Sequence, residues 1–250
     1  YVTLELLGIS AAALGALTGR REAVAANLRY LLVGLLGSMT YLLGVALVYT
    51  GAGALDLGLA AASLESGPLA AAAFALMVGG LLLKAALFPL HFWLPPAHAQ
   101  APAPVSSVLS ALVVKAAVYL VLRLWLDLFG PVAGPGAAGL LGVLGSGAIV
   151  WGSWRAFRAE RLKLLAAYST VAQVGYLFLF FPLLTAAAAP DRQRLLGAMV
   201  LLALTHGFAK AGLFLAAGLL QKSAGHDRID ELGPAIQSLP AIAFAIGLAG

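Results

Sequence analysis

The chain has 250 residues, of which 62% are apolar and 10% charged, with a net charge of +5 and a mean hydropathy of +0.99. Soluble chains carry roughly a quarter charged residues, so this composition excludes a cytosolic enzyme, a nucleic-acid module and a secreted scaffold. There is no cysteine, which excludes a disulfide framework, a thiolate metal site and iron–sulfur ligation.

Taken in chain order, apolar windows and their breakers predict seven membrane spans, at 1–18, 28–50, 68–90, 105–127, 136–156, 165–184 and 195–220, with an eighth beginning near Pro240. Each is close to the length of about 20 residues that crosses a bilayer. In lipid, single apolar runs satisfy their own backbone only as helices. The expected class is therefore an all-α polytopic membrane protein, with one transmembrane domain over 1–250. The chain starts inside an apolar run without an initiator Met and stops inside another. It is read as an internal piece of a longer membrane protein, truncated at both ends. Small residues recur, as in GVLGSGAIVWGS from Gly142, which suits close helix packing. Short connections predict antiparallel neighbours.

The basic residues are unevenly placed. Loops after alternate spans hold Arg20, Arg21, Arg29, Arg155, Arg158, Arg161, Lys163, Lys222 and Arg228, whereas the other loops hold Arg192 and Arg194, with Arg123 at a span end. This is a positive-inside bias. It puts the RRE loop in the cytoplasm and residue 1 toward the outside of a multi-pass protein, whose expected location is the bacterial inner membrane. The net positive charge thus orients the chain in a bilayer, and nucleic acid is not an expected partner.

Three lysines fall inside spans: Lys84, Lys115 and Lys210. A lysine at the centre of a lipid-facing helix costs at least about 2.5 kcal/mol, so these three are expected to face protein or a water-filled interior. The competing readings are snorkelling to an interface, most plausible for Lys84, and a structural role in locking helices together. Glu5 is the one carboxylate clearly within a span and the natural counter-charge for one of the lysines. A closed Lys–Glu pair keeps its proton on the lysine. An opened pair strands the ammonium in low dielectric and favours its release to a neighbour.

The third span reads LLLKAALFPLHFWLPPAHAQAPAPV, with Pro89 five residues beyond Lys84. Proline cannot donate to the carbonyl four residues back, so the helix is expected to break near Lys84–Pro89. Such breaks line cavities and mark ion sites in transporters, although a proline kink made for packing reads the same way. His206 and Lys210 are four apart on one helix face, and histidine suits proton carriage near neutral pH. His91 and His98 read as structural. Tyr168, Ser169, Thr170 and Gln173 form a polar stripe, either a water-lined path or interhelical hydrogen bonding. No histidine has a metal-ligand spacing, and no phosphate loop, dinucleotide fingerprint or nucleophile elbow is present. No metal, cofactor or catalytic residue is expected.

The runs from Lys84 through FPLHFWLPPAH and APAPVSS to Lys115 and VYLVLR, then LKLLAAYSTVAQVGY from Leu162 and HGFAKAGLFLAAGLL from His206, together resemble a known family. These are the proton-conducting, antiporter-like subunits of respiratory complex I (NADH:quinone oxidoreductase), of multisubunit Mrp-type cation/proton antiporters and of membrane-bound hydrogenases. The opening LELLGIS resembles the family's glutamate-bearing helix. The resemblance implies a fold of about fourteen helices with two inverted five-helix repeats, of which this chain is a fragment. It implies that Glu5 pairs with the broken-helix Lys84, that Lys115 is the next lysine of the relay, and that His206 and Lys210 lie on the helix linking two half-channels. The family's exit-side residue lies on a further broken helix beyond this sequence. The lysine at 115 resembles subunits other than the longest, histidine-bearing type. The segment PPAHAQAPAP, with extra alanines and no acid, leans toward the antiporter or hydrogenase branch.

The expected function is proton translocation through Glu5, Lys84, Lys115, His206 and Lys210, as a subunit of a redox-driven complex of NADH:quinone oxidoreductase or hydrogenase type. The alternative is a subunit of a multisubunit Na+(cation)/H+ antiporter. A third reading is a scaffold whose lysines only fix helix packing. The expected partners are other membrane subunits, protons, in the antiporter case Na+, and the lipid bilayer.

Overall fold

The computed structural model describes residues 2–249. Tyr1 and Gly250, the ends of the expected domain 1–250, lie outside the described residues, and with Tyr1 the predicted outward placement of residue 1. The helices are α1 (Val2–Ala16), α2 (Arg21–Ala52), α3 (Leu57–Ser63), α4 (Pro68–Lys84), α5 (Leu94–Gln100), α6 (Ala103–Leu128), α7 (Pro135–Phe157), α8 (Leu162–Ala186), α9 (Ala189–Ala224), α10 (Gly233–Ser238) and α11 (Pro240–Ala249). Among the described residues there is no strand, only an isolated bridge between Arg161 and Arg228.

Five of these helices, α2, α6, α7, α8 and α9, are long and apolar enough to cross a membrane. Helices α1 and α4 have 15 and 17 residues. At 1.5 Å per residue they rise about 22–26 Å, short of a hydrocarbon core of about 30 Å.

Helix α4 is short because it stops at Lys84, six residues before the end of the predicted window. Pro89 acts on the whole turn before it. Its ring clashes with the carbonyl four residues back, and the residue preceding a proline is pushed out of the helical region. The turn 85–88 therefore leaves the helix, Ala86 takes a left-handed φ of 53°, and the Phe88–Pro89 peptide is cis. The carbonyls freed at the end of α4 find new donors. The Leu87 amide bonds Leu82 O at 3.2 Å, and the Trp93 indole bonds Leu83 O at 2.9 Å. Pro95 and Pro96 then sit in the first turn of α5, where a missing amide is harmless.

Trp93 is buried and stacks on Tyr30 with ring centroids 4.7 Å apart. Trp93→Phe is expected to keep the stacking but lose the indole donor to Leu83. The full-length protein in detergent should lose about 1 kcal/mol or somewhat more, seen as a lower unfolding midpoint.

Glycines set how closely the helices approach. A Cβ on Gly37 of α2 would stand 2.7 Å from the Gly80 carbonyl of α4. A Cβ on Gly145 of α7 would stand 2.8 Å from the Gly175 carbonyl of α8, and one on Gly152 would stand 2.7 Å from the Ala172 amide. The α2–α4 and α7–α8 pairs are thus packed backbone to backbone, as small residues permit in lipid. The glycines of the GVLGSGAIVWGS run do this for α7.

Helix α6 runs between these pairs and is the most enclosed of the long helices. It is π-wound over Leu109–Val113 and Leu124–Leu128. Helix α9 packs against α6 and α8 with one face and exposes the other, where Phe208 is 79% exposed. Large apolar side chains exposed along every long helix fit lipid as the surrounding solvent.

Candidate functional site

Two polar clusters lie inside this bundle. The first is where α1, α2 and the broken end of α4 meet. The close Gly37–Gly80 crossing brings α2 against α4, with Gly37 also beside the stem of Lys84. Ser38, the next residue on α2, then faces the same space. Lys84 Nζ lies 2.7 Å from Glu5 Oε1, and the Ser38 hydroxyl lies 2.6 Å from the same oxygen and 2.8 Å from the Gly34 carbonyl. The Lys84 and Glu5 side chains are 9% and 18% exposed. They border a narrow cleft with about 20 Å³ of space for water, whose wall also includes Tyr30, Trp93 and Val113. Lys84 is the last residue of α4, so unwound backbone follows it directly.

The second cluster joins α6, α8 and α9. The π-wound turn of α6 precedes Lys115, whose Nζ donates to the Ser110 carbonyl five residues back. The Ser110 hydroxyl is 3.0 Å from that of Thr170 on α8, and Thr170 in turn donates to the Ala166 carbonyl at 2.9 Å. With its proton so placed, Thr170 accepts from Ser110. Ser169, the next residue back on α8, accepts from Lys210 Nζ of α9 at 2.6 Å. Two hydroxyl residues adjacent in sequence therefore hold Lys210 on one side and the helix of Lys115 on the other.

The polar stripe on α8 is engaged in interhelical hydrogen bonding at Ser169 and Thr170. Tyr168, farther out, accepts from Arg155 at 3.0 Å. His206 is buried one turn before Lys210, with both ring nitrogens lacking a hydrogen-bond partner, and the charges of Lys115 and Lys210 both act on it. Buried imidazole nitrogens without protein partners are places for ordered water.

All five residues singled out from sequence are thus placed in polar clusters: Glu5 with Lys84, and Lys115 with His206 and Lys210. Among the described residues no hydrogen bond or ion pair links one cluster to the other. Val113, which borders the first cleft, lies two residues before Lys115 on α6. Pro89 lies in the unwound segment and is itself not a partner in either cluster.

Several contributing residues were not singled out from sequence. Ser38 and Ser110 gave no signal, because a serine in an apolar run looks like any small packing residue. Lys163 was counted among the loop charges, yet its side chain is buried and its Nζ donates to the Ala101 carbonyl at 3.0 Å. Nearby, Arg161 pairs with buried Asp227 at 2.8 Å. His98 is fully enclosed and stacked on Phe214 at 4.5 Å, with both nitrogens unpartnered. Nothing in the sequence separated it from His91. No group of three or more potential metal ligands occurs among the described residues.

Against known proteins, residues 1–250 match the family described as NADH:quinone oxidoreductase/Mrp antiporter, transmembrane. The chain is 38% identical over 245 residues to NADH-quinone oxidoreductase subunit N of Desulforudis audaxviator, covering 96% of this chain and 47% of that one. It is 27% identical to a Na(+)/H(+) antiporter subunit of Alkalihalophilus pseudofirmus, covering all of this chain and 51% of that one. Among solved structures it resembles a chain of the membrane-bound sulfane sulfur reductase, an archaeal respiratory membrane complex, with a TM-score of 0.87 and 28% identity over 99% of this chain and 50% of that one. A chain of the Mrp complex from Dietzia sp. DQ12-45-1b matches with a TM-score of 0.74 and 26% identity, over 92% of this chain and 48% of that one. This chain therefore belongs to the NADH:quinone oxidoreductase/Mrp antiporter transmembrane family and has its antiporter-like, all-α membrane fold. It spans about half the length of these relatives.

Proposed function

We propose that this chain forms part of a proton-translocating membrane subunit in a redox-driven complex of the NADH:quinone oxidoreductase or hydrogenase type. Protons pass along Glu5, Lys84, Lys115, His206 and Lys210. The observation that carries the proposal is the enclosed Lys84–Glu5 pair at a helix break, 2.7 Å apart and braced by Ser38. A buried pair of this kind has two states of unequal proton affinity. Closed, the carboxylate stabilises the ammonium. Opened, the ammonium is left in low dielectric and gives its proton to the nearest acceptor. The unwound segment after Lys84 supplies a place for the lysine to move, since its backbone is not locked in a helical ladder.

Beyond Val113, the Lys115, Ser110, Thr170, Ser169 and Lys210 groups continue the polar path. Ser169 and Thr170 here each accept from one neighbour and donate to the Ala166 carbonyl, so passing a proton along them requires their hydroxyls to rotate. His206, buried one turn before Lys210, serves the same half of the path. In this reading the driving energy comes from a partner subunit.

A second reading uses the same residues in a cation/proton antiporter driven by an ion gradient. It is favoured by the likeness to a Na(+)/H(+) antiporter subunit over the whole chain and to an Mrp complex structure.

The test is gentle purification of the full-length protein with its partners, identification of those partners by mass spectrometry, and reconstitution into liposomes. Partners bearing flavin, iron–sulfur or nickel chemistry, with electron-driven acidification independent of sodium, are the expected result. Sodium-dependent proton flux without electron transfer would replace the first reading by the second.

A further inference from the structure

The end of α7 carries an exposed patch that the relay does not use. From Pro135 to Val150 the helix has no basic residue, and then WGSWRAFR brings Arg155 and Arg158 into its last turn and cap. A helix of 23 residues rises about 34 Å, so these arginines stand at the level of the lipid head groups at one membrane face.

Along the same stretch Trp151, Trp154 and Phe157 recur every third residue and are 38%, 43% and 91% exposed. Arg158 lies over the Trp154 ring at 5.0 Å, and Arg155 lies over Tyr168 at 4.9 Å. Among the described residues neither arginine forms an ion pair with a carboxylate. The one acid in the turn, Glu160, interacts with Arg228.

A guanidinium matches a phosphate through two parallel N–H donors. Tryptophan rings favour the boundary between head groups and acyl chains. The simple alternative is that the arginines complement the helix C-terminus, but the contacts they make are to rings and to a phenol hydroxyl rather than to the last carbonyls.

We propose that this end of α7 is a binding site for an anionic phospholipid, with its phosphate held by Arg155 and Arg158 and its upper acyl chain laid over Trp151, Trp154 and Phe157.

The protein carries its own reporters. Trp93 and Trp125 are buried, at 1% and 4% exposure, whereas Trp151 and Trp154 reach the surface. The full-length protein is placed in nanodiscs of phosphatidylcholine containing, at equal mole fraction, either brominated phosphatidylglycerol or brominated phosphatidylcholine. Tryptophan fluorescence is then measured, and the part lost in the Trp151→Phe/Trp154→Phe variant isolates the two reporters. The expected result is half-maximal quenching by the anionic lipid at a mole fraction on the order of tenfold lower than by the zwitterionic one. Arg155→Gln/Arg158→Gln should abolish that preference, while Arg155→Lys/Arg158→Lys should retain most of it. The proposal is overturned if the two brominated lipids quench equally or if the preference survives the double glutamine variant. It is equally overturned if neither lipid quenches these tryptophans, because the face is then covered by another protein.

Discussion

Lys84→Met in the full-length protein is expected to lower proton translocation at least tenfold and also to destabilise the bundle. The two effects have one cause. Glu5 sits against Lys84 at 2.7 Å and is only 18% exposed, so removing the ammonium leaves a carboxylate enclosed without its counter-charge. Removing one partner of a buried pair costs roughly 3–5 kcal/mol, whereas replacing both by apolar or neutral groups is close to neutral. The partial exposure of Glu5 and its bond from Ser38 place the expected cost at the lower end of that range.

Glu5→Gln/Lys84→Met should therefore recover most of the stability while translocation stays lost. Unfolding midpoints and proteoliposome acidification, measured on the same preparations, check both halves. If translocation returned along with stability, the pair would be a structural lock and the scaffold reading would stand.

The second large effect belongs to a residue with no side chain. Gly80→Val should prevent assembly of the full-length protein or cost several kcal/mol, whereas Gly79→Ala, one residue away on the same helix, should cost almost nothing. A Cβ at Gly80 would run into the Gly37 carbonyl and stand 2.9 Å from the Tyr41 amide, all of it backbone that has no rotamer to move. A Cβ at Gly79 meets nothing within 4 Å. The valine would push α2 away from α4 and carry Ser38 from the Lys84–Glu5 pair, so any folded remnant should translocate poorly. Expression level, unfolding midpoint and proton flux for the two variants side by side give the answer. Overpacking of a well-filled contact ordinarily costs about 1–3 kcal/mol, and the backbone-to-backbone contact here puts Gly80→Val at or above the top of that range.

Much of this was legible in the primary structure because lipid imposes simple demands. An apolar run must become a helix, a proline must end one, and a lysine inside a span must find company. The helical windows drawn from hydropathy fall on the observed helices within a few residues at most ends. The break expected near Lys84–Pro89 was announced by Pro89 and begins at Lys84, whereas the hydropathy window ran on to 90, since hydropathy does not show how far back a proline's clash forces the chain to leave the helix.

Lys84, Lys115 and Lys210 stood out as costly charges, and Glu5 as their natural partner. Lys163 misled, because its neighbours Arg161 and Arg158 make it look like one more loop charge. Only the return of the Asp227 segment and the Ala101 carbonyl encloses it.

What the sequence by itself determined is the solvent, the class of fold and the identity of the unusual charges, because each follows from composition and local pattern. What the tertiary structure alone decided is which of those charges meet. Glu5 and Lys84 are 79 positions apart and Ser169 and Lys210 are 41 apart, and no periodicity in one helix states the rotation and depth of another. Those are set where backbones touch, at Gly37 against Gly80 and Gly145 against Gly175, and by the π-wound turn that aims Lys115 back at Ser110. Long-range packing fixed them, through contacts between residues that are individually among the least conspicuous in the chain.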